Sequence, residues 1–173
     1  MLIPYQGILP QTDSPVYIAE GAKLIGDVRI GAYSTVWFNA VLRGDLAPIR
    51  IGNRCNIQDS VVGHVNTNQP LLLEDEVSVG HGAIIHGCKI GKGTLIGMGA
   101  IVLNGAEIGE YALIGAGSIV TENRVIPPYT LALGSPAKVV RELNEADLKR
   151  MKTTMESYVR KGEEYTGSSY PAQ

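Results

Sequence analysis

The sequence predicts an all-β protein: a single chain wound into a three-sided parallel β-helix, followed by one C-terminal α-helix. Three observations carry this. Large aliphatic residues recur every six positions at Ile18, Leu24, Ile30, Val36 and Leu42. Four positions after the first four of these stand Ala22, Val28, Ser34 and Ala40, none larger than valine. The chain also has 21 glycines but only 6% aromatic residues, a mix that suits a narrow core with many tight corners. A six-residue period is not helical, and simple alternation does not require a small residue at one fixed phase. An inward aliphatic with a small residue near the corner describes one flat side of a triangular coil, the hexapeptide signature.

A length of 173 residues suits one domain with its own core. Residues 1–17 hold Pro4, Pro10 and Pro15 and no clear period, so they read as an extended lead-in. The β-helix is expected over 18–134. Its period breaks at Arg43-Gly-Asp-Leu-Ala-Pro48, where three extra residues bulge out, and resumes at Ile51, Ile57 and Gly63 with Cys55 at a small site. A second break, from His64 to Leu72, adds about four residues before Leu73 and Val79. After a one-residue slip, expected between Val79 and Ile84, the series runs Ile84, Ile90, Ile96, Val102, Ile108, Ile114, Val120 and Ile126. Cys88, Thr94, Ala100, Ala106, Ala112 and Ser118 take the small sites. About seventeen hexads make between five and six coils.

The glycines of Gly91-Lys-Gly93, Gly97-Met-Gly99 and Gly115-Ala-Gly117 are expected at corners that need positive φ. They form no phosphate cradle, since neither a GKS or GKT sequence nor a following helix accompanies them. Both cysteines fall at small inward sites and read as buried space-fillers. A helix is expected over 144–162, packed on the prism. Asn144 would be its N-cap and Asp147 its capping-box partner, with Leu143 and Leu148 as a hydrophobic staple. Leu148, Met151, Met155, Tyr158 and Val159 form its apolar stripe and Gly162 its stop. The tail from Tyr165 to Gln173 is expected to be mobile.

A net charge of −2 without any basic run argues against a nucleic-acid surface, and the 17 acidic residues are spread as an ordinary solvated surface. No apolar stretch is long enough to span a bilayer. Met1-Leu-Ile-Pro-Tyr5 lacks the basic and longer apolar regions of a signal peptide, so a cytoplasmic location with reduced thiols is expected.

All three histidines, His64, His81 and His86, lie within 23 positions. His64 and His86 each follow an inward position and are three hexads apart, which is one full turn. They should point outward from one face, stacked at about the ~4.8 Å spacing of adjacent strands, where both can reach one metal at about 2.0–2.1 Å. His81 belongs to the hexad between them, on a different face, and cannot join them within one chain. A neighbouring copy can supply it. The spacing thus predicts a homotrimer with three intersubunit sites, each taking His64 and His86 from one chain and His81 from the next. Three neutral nitrogens with an open fourth position suit catalytic zinc, and iron(II) or cobalt(II) fits the same ligands.

Val41-Leu-Arg43-Gly-Asp45, Asn56-Ile-Gln58-Asp59, His64 and His81-Gly-Ala-Ile-Ile-His86 together resemble the γ-class carbonic anhydrase family. The resemblance covers nearly the whole chain. It implies a trimeric left-handed β-helix, a lyase that interconverts CO2 and bicarbonate, and a metal held by three histidines across two subunits. Carried over by motif, Gln58 would orient the metal-bound hydroxide, Arg43 would sit near bicarbonate, and Asp45 and Asp59 would join the polar interface network. Arg43 and Asp45 also read as a plain interface salt bridge, and Asn56 also reads as a turn residue. One segment departs from the pattern. Leu46 stands where active members carry a glutamate, and Val65-Asn-Thr-Asn-Gln-Pro70 lacks their acidic residues, while Glu74, Asp75 and Glu76 come only after the repeat resumes. Proton release to buffer would then limit turnover. Two other readings of the same prism are a non-catalytic metal-binding scaffold and an acyl-CoA transferase.

Overall fold

The structure is a computed structural model that describes residues 1–167. The chain winds through about seven turns of parallel β-helix and ends in one helix. Three flat faces run the length of the prism. The first stacks Lys23–Ile30, Val41–Ile51, Val62–His64, Ile84–His86, Ile101–Val102 and Ile119–Val120. The second stacks the far halves of the two long strands, then Leu71–Leu73, Lys89–Ile90, Glu107–Ile108 and Val125–Ile126. The third runs from Tyr17–Ile18 through Thr35–Val36, Asn56–Ile57, Ser78–Val79, Leu95–Ile96 and Leu113–Ile114 to Thr130–Gly134. An antiparallel strand, Ala137–Glu142, pairs with the last of these.

The six-residue period arises because each flat side holds one inward aliphatic, and these stack along the axis as one continuous core. Leu24, Ile30, Val36, Leu42, Ile57, Ile96, Ile114 and Ile126 are completely buried, as are the small Ala22, Ala40, Ala100 and Ala112. Burying each large side chain contributes about 1.5–3 kcal/mol. Cys55 and Cys88 sit in this core, and burial pushes both thiols up to about 12, which suits space-filling and not metal ligation.

The structure has about seven turns where between five and six coils were expected, and four further details differ from the sequence reading. The lead-in is part of the prism: Leu2–Ile3 pair with Leu24–Ile25, and Gln11–Thr12 with Arg29–Ile30, supplying two sides of the first turn. The slip lies one rung later than expected. Ile85 is buried and Ile84 is 37% exposed, so the step from Val79 is a full six and the missing residue falls between Ile85 and Ile90. Corner glycines serve two separate needs. Gly99 takes φ +65°, whereas Gly97 has ordinary φ but admits no side chain, because a Cβ there would lie 2.5 Å from the Ala116 backbone nitrogen. Finally, the helix spans Glu145–Gly167 and passes through Gly162 without stopping. Gly162 is a contact residue: a Cβ there would lie 2.5 Å from Thr35 Cγ2 on the prism wall.

The start of the helix follows its sequence. The Asp147 amide donates to Asn144 Oδ1 at 2.9 Å, and the Asn144 amide donates back to Asp147 Oδ2 at 3.1 Å. The Arg141 guanidinium, 2.6 Å away, and the Asn144 amide hold the Asp147 carboxyl down at about 2. Met151 and Met155 are buried against the third face, and Tyr158 and Tyr165 meet Trp37 at 5.4 and 5.3 Å between ring centres. Of the tail expected to be mobile, Tyr165–Gly167 are helical, and residues 168–173 lie outside the described residues. No helix among the described residues is long and apolar enough to cross a membrane.

Candidate metal centre

The first face brings two of the histidines together. Arg43, His64 and His86 are register partners on three successive strands, so their side chains leave the prism as one column. The inward place just before His64 is Gly63. The Leu42 side chain from the preceding coil and Leu71 from the next side of the same coil fill it, and a Cβ there would lie 2.5 Å from Leu42 Cδ2. The imidazoles stand with ring centres 4.9 Å apart, and His64 Nδ1 faces His86 Nε2 at 3.0 Å. Two nitrogens on one tetrahedral zinc at about 2.0–2.1 Å would be ~3.3 Å apart, close to this separation.

The outer nitrogens decide what the inner ones can do. His64 Nε2–H donates to Asp45 Oδ1 at 2.9 Å, and His86 Nδ1–H donates to Asn104 Oδ1 at 2.6 Å. Both facing atoms are oxygens, which only accept. In neutral rings each proton is therefore committed outward, and two lone pairs point at each other across 3.0 Å. A cation between them resolves that conflict, so the donor set fits a metal ion. Burial pushes the Asp45 carboxyl up, but hydrogen bonds from His64 and Arg43 outweigh this and hold it below its ordinary value. Arg43 is the ion-pair partner of Asp45 within the chain.

His81 lies at the corner turn after Ser78–Val79, not on a flat side. Its Nδ1–H faces Asp59 Oδ2 at 2.7 Å, which leaves Nε2 with the lone pair, hydrogen-bonded among the described residues only to the Tyr158 hydroxyl at 3.4 Å. All three imidazoles thus share one logic, one nitrogen anchored on an acceptor oxygen and the other presented. Among the described residues, no group of three His, Cys, Asp or Glu side chains of a single chain comes together to hold a metal.

Gln58 and Asn56 form a buried relay beside His81. Asn56 Nδ2 donates to Ser78 Oγ at 2.7 Å, and Gln58 Nε2 donates to Asn56 Oδ1 at 2.9 Å. Gln58 Oε1 accepts the His81 backbone amide at 3.2 Å and keeps its second lone pair. Asn56 is therefore a strand residue that fixes the Gln58 amide, not a turn residue. The later acids brace a distant corner: Glu74 accepts the Lys92 amide at 2.9 Å and Asp75 the Asn53 amide at 2.7 Å. Sequence reasoning missed Asn104 and Tyr158. Asn104 lies 18 positions after His86, but the short rung makes one coil 17 residues here and puts Leu103 level with His86, so counting coils does not single it out. Nothing local marks Tyr158, which arrives from the helix.

Fold and site together define a hexapeptide-repeat β-helix with paired outward histidines. Residues 87–122 match the bacterial transferase hexapeptide (six repeats) family model. A carbonic anhydrase of Geobacillus kaustophilus is 52% identical over 95% of this chain and 91% of its own length. A probable carbonic anhydrase of Methanocaldococcus jannaschii is 57% identical over 86% of this chain and 93% of its own. The mitochondrial gamma carbonic anhydrase 2 of Arabidopsis thaliana is 39% identical over 87% of this chain and 56% of its own. A crystal structure of a hexapeptide transferase family protein from Anaplasma phagocytophilum superposes with a TM-score of 0.91 at 35% identity, over 95% of this chain and 97% of its own. The chain belongs to the γ-class carbonic anhydrase family.

Proposed function

We propose that the protein is a metal-dependent carbonic anhydrase that reversibly hydrates CO2 to bicarbonate, at sites shared between the subunits of a homotrimer. The observation that carries this is the facing pair of lone-pair nitrogens, His64 Nδ1 and His86 Nε2, each with its other nitrogen anchored on an acceptor. These two, with Nε2 of His81 from the neighbouring subunit, would hold zinc, or iron(II) or cobalt(II). Such an ion on three neutral imidazoles lowers the pKa of bound water to about 7 and so supplies a nucleophile for CO2 near neutral pH.

The chain's own residues do the rest. The free lone pair of Gln58 Oε1, oriented by Asn56, accepts a proton-bearing oxygen and turns it toward the carbon. Arg43, drawn to Asp45, offers a planar cationic fork to the carboxylate-like product. Asp45 and Asp59 keep His64 and His81 in the tautomers that present a lone pair.

Two unlike apolar surfaces support the trimer. Val41, Val62, Ile84, Ile101 and Ile119 form an outward column on the histidine face, with Val62 and Ile84 exposed at 41% and 37%. Beyond the helix, Leu95, Met98, Leu113, Leu131 and Leu133 line a groove of about 380 Å³ that also reaches Gln58 and Gly80. Different patches meeting head to tail close into a ring.

The test is stopped-flow CO2 hydration on anaerobically metal-loaded protein; a rate no faster than buffer with zinc, cobalt and iron would sink the proposal. Mixed trimers test the sharing. His64→Ala and His81→Ala subunits are each inactive alone, yet random mixing should restore about a quarter of the sites, because one interface in every mixed trimer joins two intact halves. No restoration would mean that each site belongs to one chain. The transferase wording of the matched repeat model raises an acyl-CoA alternative, and acetyl-CoA binding by calorimetry would favour it.

A further inference from the structure

The rung after His86 is one residue short, and the shortening has a chemical consequence. At this edge four residues, 103–106, lie between Val102 and Glu107 with Asn104-Gly105 at the turn, whereas only three, 86–88, lie between Ile85, the register partner of Val102, and Lys89. Between His86 and Lys89 the chain turns on Gly87 at φ +53°. The space left free is taken from the coil below by the Asn104 side chain. A Cβ on Gly87 would lie 2.7 Å from Asn104 Oδ1, so glycine is what admits it. That oxygen accepts from His86 Nδ1–H at 2.6 Å, while Asn104 Nδ2 donates to Glu122 Oε1 at 3.4 Å, one coil further on.

We infer that Asn104, oriented by Glu122 and admitted by Gly87, is a positioning residue that sets the tautomer of His86 and thereby its capacity to bind metal. The inference rests on the proposed metal site. An amide is ambivalent, because either end can face the ring. If Asn104 turned its Nδ2 toward His86, Nδ1 would have to accept, the ring proton would move to Nε2, and the nitrogen facing His64 would be blocked. Glu122 prevents the flip by accepting only from Nδ2. The sequence Glu122, Asn104, His86 therefore relays a surface charge to the choice of ring nitrogen without touching the metal.

The test uses the full-length protein with zinc, in two measurements. Zinc affinity is read by competition with a chromophoric chelator, and ring tautomers are read in the metal-free protein by long-range 15N–1H spectra. Asn104→Leu should weaken zinc binding about 10–100-fold, as is usual when the outer partner of a ligating histidine is lost, and should give His86 mixed tautomers. Asn104→Asp keeps an acceptor and should restore both. Glu122→Gln, an exposed change without folding risk, should shift the tautomers in the same direction by less. The inference is overturned if the Asn104→Leu protein is folded and keeps parental affinity and one tautomer, or if Asn104→Asp behaves like Asn104→Leu. If Asn104→Leu does not fold, parental spectra for Glu122→Gln overturn it. If the parent binds no zinc, the metal site fails, whereas the tautomer spectra still decide the role of Asn104.

Discussion

The two halves of the prism contrast sharply. From Ile90 to Ile126 the hexads run without interruption, the outward positions form plain ladders such as Lys89–Glu107, and the small sites from Thr94 to Ser118 are filled by Thr, Ala or Ser. From Leu42 to Cys88 the period fails three times, and each failure adjoins a candidate site residue. The first insertion carries Asp45, the second begins at His64, and the short rung follows His86. A regular solenoid repeats one environment and so cannot gather unlike groups. Inserting or deleting residues is how this chain breaks that equivalence and aims chemistry at one edge. The repeat-family match, confined to 87–122, falls on the regular half.

The contrast can be broken in either direction. His64→Ala should abolish hydration and lower zinc affinity by more than about 100-fold, exceeding the loss of any outer partner, yet leave the melting transition of metal-free protein nearly unchanged. A large loss of stability there would erase the distinction between the halves. In the regular half, Ile96→Ala should cost about 2–5 kcal/mol in urea unfolding while zinc stoichiometry stays at the parental value. Gly63→Ala touches the core and the site at once. Its Cβ would collide with Leu42, so about 1–3 kcal/mol of stability and part of the zinc affinity should be lost together, because His64 moves with the strand. Loss of one without the other would separate core packing from the site.

The smallest effect concerns the helix. The Asp147 carboxyl titrates near 2 when folded and near 4 when unfolded. The unfolded chain therefore binds more protons across that window. The contribution of Asp147 is complete above about pH 4 and is lost as pH falls toward 2. Asp147→Asn should flatten that limb of a stability–pH curve measured by fluorescence of Trp37, which packs against the helix; an unchanged limb would remove Arg141–Asp147 as its cause.

Much of the fold was legible because an inward aliphatic and a small corner residue are local demands, repeated often enough to leave a period. The histidine pairing was legible for the same reason, since three hexads make a turn. The position of the slip was not. Ile84 and Ile85 are equally aliphatic, and only the buried contacts of Ile85 distinguish them. Gly162 misled because glycine ends helices by conformation but can also sit inside them for clearance, and only the prism wall reveals which. The lead-in left no period because its two short strands have partly exposed outer sides and no core on one flank.

By itself the sequence determined the β-helix, the helix cap and the paired histidines, which follow from spacing along the chain, and its motifs carried the resemblance to the family. Tertiary structure alone decided which nitrogen of each histidine is anchored, that Asn56 steadies Gln58, and that Asn104 and Tyr158 belong beside the site. These depend on side chains meeting across coils or from the distant helix, and spacing along a chain does not encode the direction in which an amide or an imidazole turns.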